Sequence, residues 1–408
     1  VSDVILAFNC GSSSLKFTLF QLDATDGAPS VLAHGAVETT PDAPRFHATD
    51  SNGTVLADQT WTHPDAPTAS APFSLGPLFE WIESHLAGGK IIAVGHRVVH
   101  GGPHFIEPVL IAPDILAELE KLTPFAPLHQ PVTLAPIKVI AAERPSLPQI
   151  ACFDTGFHHT MPAIAHLLPI PRHYEDVGVR RYGFHGLSYA YIASRLPELD
   201  PKLAQGRVIV AHLGSGASLC ALKNGKSVET TMGFSALDGL MMGTRCGAID
   251  PGVLLYMMQE EGAGWHTIVD TLYHHSGLLG VSGVAADMRS LREHVAEQTS
   301  QAANAREALD LFAYRVVREI GALTALLGGL DGLIFTAGIG EHDAALRSEV
   351  CSALRWLGIR LDPNANQKHA PVISTSDSAI TVRVEPTNEE LMICLNVLQT
   401  APNLTQQP

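Results

Sequence analysis

Apolar positions in this chain follow two periods, and the short one comes first. Val4 to Phe8 is a run of β-formers, the small residues from Asn9 to Ser14 interrupt it, and apolar residues resume at Leu15. That pattern predicts strand, turn, strand. "VIVAHLGSGASLCA", from Val208, repeats "VILAFNCGSSSLKF", from Val4, at a gap-free offset of 204 residues. Val4/Val208, Ile5/Ile209, Ala7/Ala211, Ser14/Ser218 and Leu15/Leu219 recur in the same places. Each half then continues with a strand ending in glycines, "IIAVGHRVVHGG" (Ile91–Gly102) and "GLIFTAGIGE" (Gly332–Glu341). Helical spacing appears between them. Asp114 to Leu122 carries Ile115, Leu116, Leu119 and Leu122 on one face. Arg306 to Leu327 carries Leu309, Phe312, Ala313, Val316, Val317, Ile320, Leu323 and Leu327, and Gly328-Gly329 stops it. Strands and helices mixed in this way, twice over, predict a two-lobed α/β protein with a ligand cleft between the lobes.

Composition narrows the partners. The chain has 408 residues, 46% apolar and 16% charged, with a net charge of −15. The acidic balance argues against nucleic acid and anionic membranes, but not against a phosphate ligand met by local Arg and Lys. The six cysteines are scattered and form no C-x-x-C pair, which argues against a zinc site or a disulfide framework. No basic stretch precedes the first apolar run, which contains Asp3, and no apolar run is long enough to span a membrane. A cytoplasmic protein is expected.

Three glycine-rich segments directly follow apolar strands: Asn9–Ser14, "HLGSGAS" (His212–Ser218) and "AGIGEH" (Ala337–His342). Small residues let backbone N–H groups approach phosphate oxygens, and Lys16 adds charge beside the first, although the P-loop spacing is absent. A plain hairpin turn with an exposed lysine explains that first segment equally well. "HRVVHGG" and "MGTRCGAIDPG" each set one arginine, Arg97 and Arg245, beside glycines, as a carboxylate or phosphate fork or as an ordinary surface ion pair. Asp154 in "CFDTGFH" ends a buried strand, either as a catalytic or metal-directed carboxylate or as a turn former. His185 in "RRYGFHG" reads as a core imidazole or a site residue. In "PTNEELMICL", Thr387 and Glu390 fit a capping box. Glu389 is then spare, for the helix dipole or for a magnesium ion. No G-x-G-x-x-G follows the first strand, which disfavours a dehydrogenase.

Taken together and in order, "NCGSSSLKF", "GHRVVHGG", "FAPLHQP", "CFDTGFH", "YGFHG", "HLGSGAS", "MGTR", "GVAADMR", "GIGE" and "PTNEEL" resemble the acetate kinase family, from Val4 to about Leu398. The resemblance implies two duplicated ribonuclease-H-like lobes of the actin-like ATPase type. Their boundaries are expected at 1–156 plus 389–408 and at 157–388. It implies reversible, magnesium- or manganese-dependent phosphoryl transfer between ATP and acetate, with propionate or another short-chain acid as the alternative, in a homodimer. By motif, Asn9 and Glu389 hold the metal and Lys16 lies near the nucleotide phosphates. Arg97 binds the carboxylate, with Asp154, His185 and Arg245 around the transferred group. His212, Leu213, Gly214, Ser215, Gly216, Asp287, Met288, Arg289, Gly338, Ile339, Gly340, Glu341 and His342 contact the nucleotide. Val99, Leu128, His129, Phe184 and Ala236 line the acid pocket. An actin- or chaperone-like ATPase without kinase activity is the rival of another class.

Several residues depart from the family pattern. Ser215 stands where Asn is usual, Ala236 for Pro, Cys246 for Ser, Ala248 for Asp, Leu187 for Thr, Tyr189 for His and His342 for Asn. The charged catalytic set is complete. Alanine at 236 is smaller than proline, so the pocket is expected to admit one more methylene. A carboxylate is already ionised at pH 7 and needs no general base, so Asp154 is expected to orient an arginine or metal-bound water rather than to accept the substrate's proton.

Overall fold

The computed structural model describes residues 3–11, 14–23, 27–38, 44–61, 75–86 and 88–402. Ser12 and Ser13 of the opening loop, and 403–408 of the expected first lobe, lie outside the described residues. The chain divides into two units, Val1–Phe157 with Asn388–Pro408, and His158–Thr387. No described helix is long and apolar enough to cross a membrane.

The first unit holds an eight-stranded sheet built from β1 (Asp3–Cys10), β2 (Ser14–Leu22), β3 (Pro29–Glu38), β4 (Arg45–Asp50), β5 (Val55–Thr60), β6 (Lys90–Val98), β7 (Val109–Leu110) and β8 (Gln149–Phe153). Its order is β5-β4-β3-β2-β1-β6-β8-β7. The second unit holds β9 (Arg207–Leu213), β10 (Ala217–Lys223), β11 (Lys226–Thr230), β12 (Gly332–Thr336) and β13 (Thr381–Val384), in the order β11-β10-β9-β12-β13. Within the larger sheet, β3-β2-β1-β6-β8 has the order and sense of the smaller one: an antiparallel trio whose first strand then meets two parallel strands. The duplication expected from the repeat is therefore a duplication of topology.

The gap-free alignment of the two hairpins does not survive in the pairing. Leu15 pairs with Cys10, whereas Leu219 pairs with Ala211, three residues further back than the offset requires. Gly214 N–H donates to the Gly216 carbonyl, which sets the second reversal at Ser215. In the first hairpin Gly11 N–H donates to the Ser14 carbonyl, so the chain turns later in the motif. Identical residues do not fix register when the turn lies at a different point.

Helices cover the sheets where the periodicity predicts them. Pro113–Lys121 and Ala302–Leu327 carry the two predicted stripes, except that Leu122 is the first helix's C-cap; the longer helix buries Leu309, Phe312, Val316, Ile320 and Leu323. Glu389–Thr400 returns to the first unit and packs on β1 and β6. Gly95 of β6 makes room for it, because a Cβ there would collide with Ile393 and lie 2.8 Å from Val397 Cγ2. "AGIGEH" departs from its reading as a loop. Ala337–His342 is a short helix starting directly after β12, with Ala337 in the left-handed region at φ 64°.

Candidate active site

In the first unit the functional side chains gather at the carboxyl ends of three neighbouring parallel strands, where open α/β sheets commonly hold ligands. Asn9 is near the end of β1, Arg97 near the end of β6, and Asp154 immediately follows β8. Arg97 donates through Nε and Nη2 to Asp154 Oδ2, at 2.9 and 2.6 Å, and through Nη1 to Asn9 Oδ1 and the Cys10 carbonyl, both at 3.3 Å. The Asp154 side chain is 1% exposed and that of Arg97 17%. Burial works against the guanidinium charge, but Asp154 and then Glu389 outweigh it and raise the Arg97 pKa above its ordinary value. Burial pushes the neighbouring Cys10 thiol up to about 12, so it remains protonated. Lys16 is exposed and stands directly across the β1–β2 ladder from Asn9.

Both glutamates at the start of the last helix reach Asn9. Its Nδ2 donates to Glu389 Oε2 at 2.8 Å and to Glu390 Oε1 at 2.9 Å. This overturns the capping-box reading of Glu390. The N-cap is Asn388, whose Oδ1 accepts from Leu391 N–H at 2.9 Å, while Thr387 Oγ1 is buried with no partner. Asparagine caps as well as threonine, and choosing the cap one residue later frees Glu390 for the site. Asn9, Glu389 and Glu390 together offer the hard oxygen donors that suit magnesium, which keeps several waters and binds through one or two carboxylates plus phosphates. Among the described residues no group of three or more His, Cys, Asp or Glu could hold a metal. Magnesium would therefore have to complete its shell with water or substrate.

Val99 is buried just after β6, and Leu128 and His129 are half-buried before the helix Gln130–Glu143. The buried Gln130 ties these segments together. Its Nε2 donates to the His100 and Leu119 carbonyls, and its Oε1 accepts from His100 N–H, all at 3.1 Å.

The second unit gathers a different set. His185 precedes the helix Gly186–Leu199 in the left-handed conformation, φ 58°. Its ring stacks on that of His212 at 4.2 Å between centroids. His185 Nδ1 is 2.8 Å from Ser218 Oγ, Tyr189 Oη is 2.6 Å from the same oxygen, and His212 Nδ1 is 2.8 Å from Ser188 Oγ. Serine hydroxyls thus partner both Nδ1 atoms. A Cβ on Gly216 would lie 3.1 Å from His185 Nε2 and 3.3 Å from Arg245 Nη2, so His185 and Arg245 converge where this chain has no side chain. Arg245 Nη1 donates to the Ala236 carbonyl at 2.8 Å. Phe184 is buried, its carbonyl accepting from His158 Nε2 at 2.9 Å. Ala236 is half-buried.

The expected nucleotide residues fall into three groups. His212 and Leu213 end β9, and Gly214, Ser215 and Gly216 form the turn, with Ser215 exposed. Gly338, Ile339, Gly340, Glu341 and His342 lie in the short helix after β12. Arg347 anchors that helix from beneath, donating to the Gly340 and Glu341 carbonyls at 2.8 and 2.9 Å. Asp287 caps the helix Met288–Ala296, accepting from Ser290 N–H, with Met288 buried and Arg289 exposed. Sequence reasoning missed the site contact of Glu390 and the roles of Ser188, Tyr189, Ser218, Gln130 and Arg347. Their distant partners leave no local pattern, although Gln130 and Ser218 stand inside "FAPLHQP" and "HLGSGAS" and Tyr189 is one of the departures from the family pattern.

Comparisons with known proteins show the family. A curated acetate kinase of Rhodopseudomonas palustris is 47% identical over 98% of this chain and 99% of its own. The crystal structure of Porphyromonas gingivalis acetate kinase superposes with a TM-score of 0.83 at 36% identity, over 98% of this chain and 99% of that one. A propionate kinase from Francisella tularensis gives 0.85 at 34%, over 97% and 98%. The Acetokinase family matches residues 4–395, and the chain belongs to that family.

Proposed function

We propose that this protein transfers a phosphoryl group from ATP to acetate, reversibly and by direct in-line displacement, yielding acetyl phosphate and ADP. The observation that carries the reading is the convergence of His185 Nε2 and Arg245 Nη2 on the Gly216 turn. There the imidazole and the guanidinium lie together beside a glycine that carries no side chain of its own. Phosphoryl transfer rests mainly on positioning and on neutralising charge at the equatorial oxygens, which is what such groups supply. The acid arrives as its carboxylate, so no residue has to remove a proton. Arg97 binds that carboxylate, and Asp154 Oδ2 holds the Nε–Nη2 edge of the guanidinium so that it keeps one orientation. His212 to Gly216, Asp287 to Arg289 and Gly338 to His342 contact the nucleotide, with Lys16 near its phosphates. Asn9 and Glu389, now with Glu390, would hold magnesium, which when bound neutralises phosphate charge.

Val99, Leu128, His129, Phe184 and Ala236 receive the alkyl end of the acid. The smaller Ala236 and the structural likeness to a propionate kinase favour propionate as a second substrate. The helix Pro251–Glu260 buries no side chain and exposes Val253, Leu255, Tyr256 and Met258, which supports a homodimer. Six free cysteines suit a reducing cytoplasm.

The test is ADP release measured against straight-chain carboxylates from formate to valerate, with and without magnesium. Acetate should be turned over, propionate within about tenfold of it, and butyrate poorly. No magnesium-dependent release with any of them overturns the reading. A sedimentation mass near one 43.5 kDa chain overturns the dimer.

A further inference from the structure

We infer that an ion pair between Arg292 and Asp343 fixes the spacing of two segments, 287–289 and 338–342, and makes both members positioning residues for nucleotide binding. The inference rests on the proposed function for its ligand, and deepens it. Arg292 is on the helix Met288–Ala296, which Asp287 caps. Asp343 directly follows the short helix Ala337–His342 and caps the next one, Ala344–Ala353. Arg292 Nε donates to Asp343 Oδ2 at 2.9 Å, and Arg292 Nη1 is 3.5 Å from Glu349 Oε1 on that next helix. The two paired side chains are 26% and 12% exposed, so water screens them less than it does an open surface pair. They are 51 residues apart in the chain, and no motif contains either.

Three bonds meet at Asp343. Its N–H donates to the Ile339 carbonyl, its Oδ1 accepts from Leu346 N–H, and its Oδ2 takes the guanidinium. It is thus the joint between the short helix and the next. A helix of six residues cannot hold itself, so its tethers decide where it lies. Arg347 holds its Gly340 and Glu341 carbonyls, but Arg347 belongs to Ala344–Ala353 and ties the short helix only to its own neighbour. Arg292 comes from the other segment and joins the two. Met288–Ala296 and Ala344–Ala353 both pack on Ala302–Leu327. Packing is non-directional, whereas a charged hydrogen bond sets a distance and an angle. A ligand held from two segments binds more tightly when they already stand at the right spacing, because less order is lost on binding. The loss on breaking the pair should therefore fall on nucleotide affinity and not on the chemical step.

The experiment uses the full chain, with ADP and magnesium titrated by calorimetry and turnover followed in the coupled assay. Arg292→Met keeps the stem and removes the charge. Asp343→Asn keeps a helix cap, since asparagine caps as well as aspartate, and removes the ion pair. Each should raise the Kd for ADP and the KM for ATP about tenfold, with kcat and the KM for acetate within about twofold. The double variant should bind no worse than either single one. Arg292→Lys should recover part of the loss, because an ammonium restores the charge without the planar fork. If one single variant does not fold, the other and Arg292→Lys are read in the same way. A lowered Tm with Kd and KM unchanged overturns the inference and leaves the pair structural. So does a double variant whose loss is the product of the single losses. A parent that turns over carboxylates while the variants bind ADP as it does overturns the inference alone; a parent that binds no nucleotide ends the functional reading and the inference with it.

Discussion

The two half-sites occupy equivalent ends of equivalent strands, yet different forces hold them. Beside β1, β6 and β8 the network is ionic. Arg97 is locked to a buried carboxylate, and Asn9 links it to two further carboxylates. Beside β9 and β10 serine hydroxyls meet imidazoles, and Arg245 donates to a backbone carbonyl. One scaffold therefore supports either kind of site. An ionic network couples function to stability, because its members are buried charges that depend on one another. A neutral network couples function to orientation.

The largest expected effects test that contrast directly. Arg97→Ala and Arg245→Ala should each lower kcat/KM by roughly 10²-fold or more, about 3 kcal/mol. Arg97→Ala should also cost stability, because it removes two charged hydrogen bonds to the buried Asp154, and should cost more than Arg245→Ala, which removes the bond to the Ala236 carbonyl. Urea unfolding beside a coupled assay measures both; equal stability losses would dissolve the comparison.

Within the ionic half, Glu389→Gln and Glu390→Gln should each raise the magnesium concentration at half-maximal rate by about tenfold. Asn388→Ala should instead cost about 1 kcal/mol through the lost cap and leave that concentration unchanged. A Glu390→Gln protein with a normal magnesium requirement would return that residue to a structural part.

Each unit also contains a buried histidine with a lowered pKa, His96 in the first and His158 in the second. Burial is the main cause in both, taking His96 down to about 3 and His158 down to about 4. The unfolded chain takes up its protons near pH 6.5, so neither residue changes stability above that pH. As pH falls below about 6.5 each should cost about 1.4 kcal/mol per pH unit, down to about pH 4 for His158 and pH 3 for His96. Acid unfolding curves of His96→Gln and His158→Gln should be flatter than the parent's across that window. Parallel curves would refute the assignment.

The smallest effect concerns substrate. Ala236→Pro should shift the propionate-to-acetate ratio of kcat/KM back toward acetate by less than tenfold, since one buried methylene is worth about 0.8 kcal/mol. The Ala236 carbonyl that accepts from Arg245 is retained in proline, so ATP binding should not change. An unchanged ratio means position 236 does not shape the pocket.

Much of this molecule was legible in its sequence, for reasons that differ by element. The hairpin β1–β2 and the helix Ala302–Leu327 have local periodicity, and local periodicity survives folding. Hairpin register did not read through, because it depends on where the chain reverses. The helix Ala337–His342 was hidden by its two glycines, which mark turns more often than helices. Glu390 was misread because Thr387 and Asn388 are both good caps, and only the fold decides between them. The Tyr189–Ser218–His185 chain joins residues up to 33 apart, a distance no local pattern spans.

Gly95 and the helix that fills its space have a consequence for biosynthesis. The strands of the first sheet are complete once Phe153 has been made, but Ile393 and Val397, which cover β6 at Gly95, come some 240 residues later. At about 5–20 residues per second, that is a wait of roughly 10–50 s on the ribosome. During it the β1–β6 face is bare and open to chaperones or to misassociation, while all of His158–Thr387 is synthesised. Glu389 and Glu390 arrive on the same helix, so Asn9 gains its carboxylate partners only after the second unit has been made.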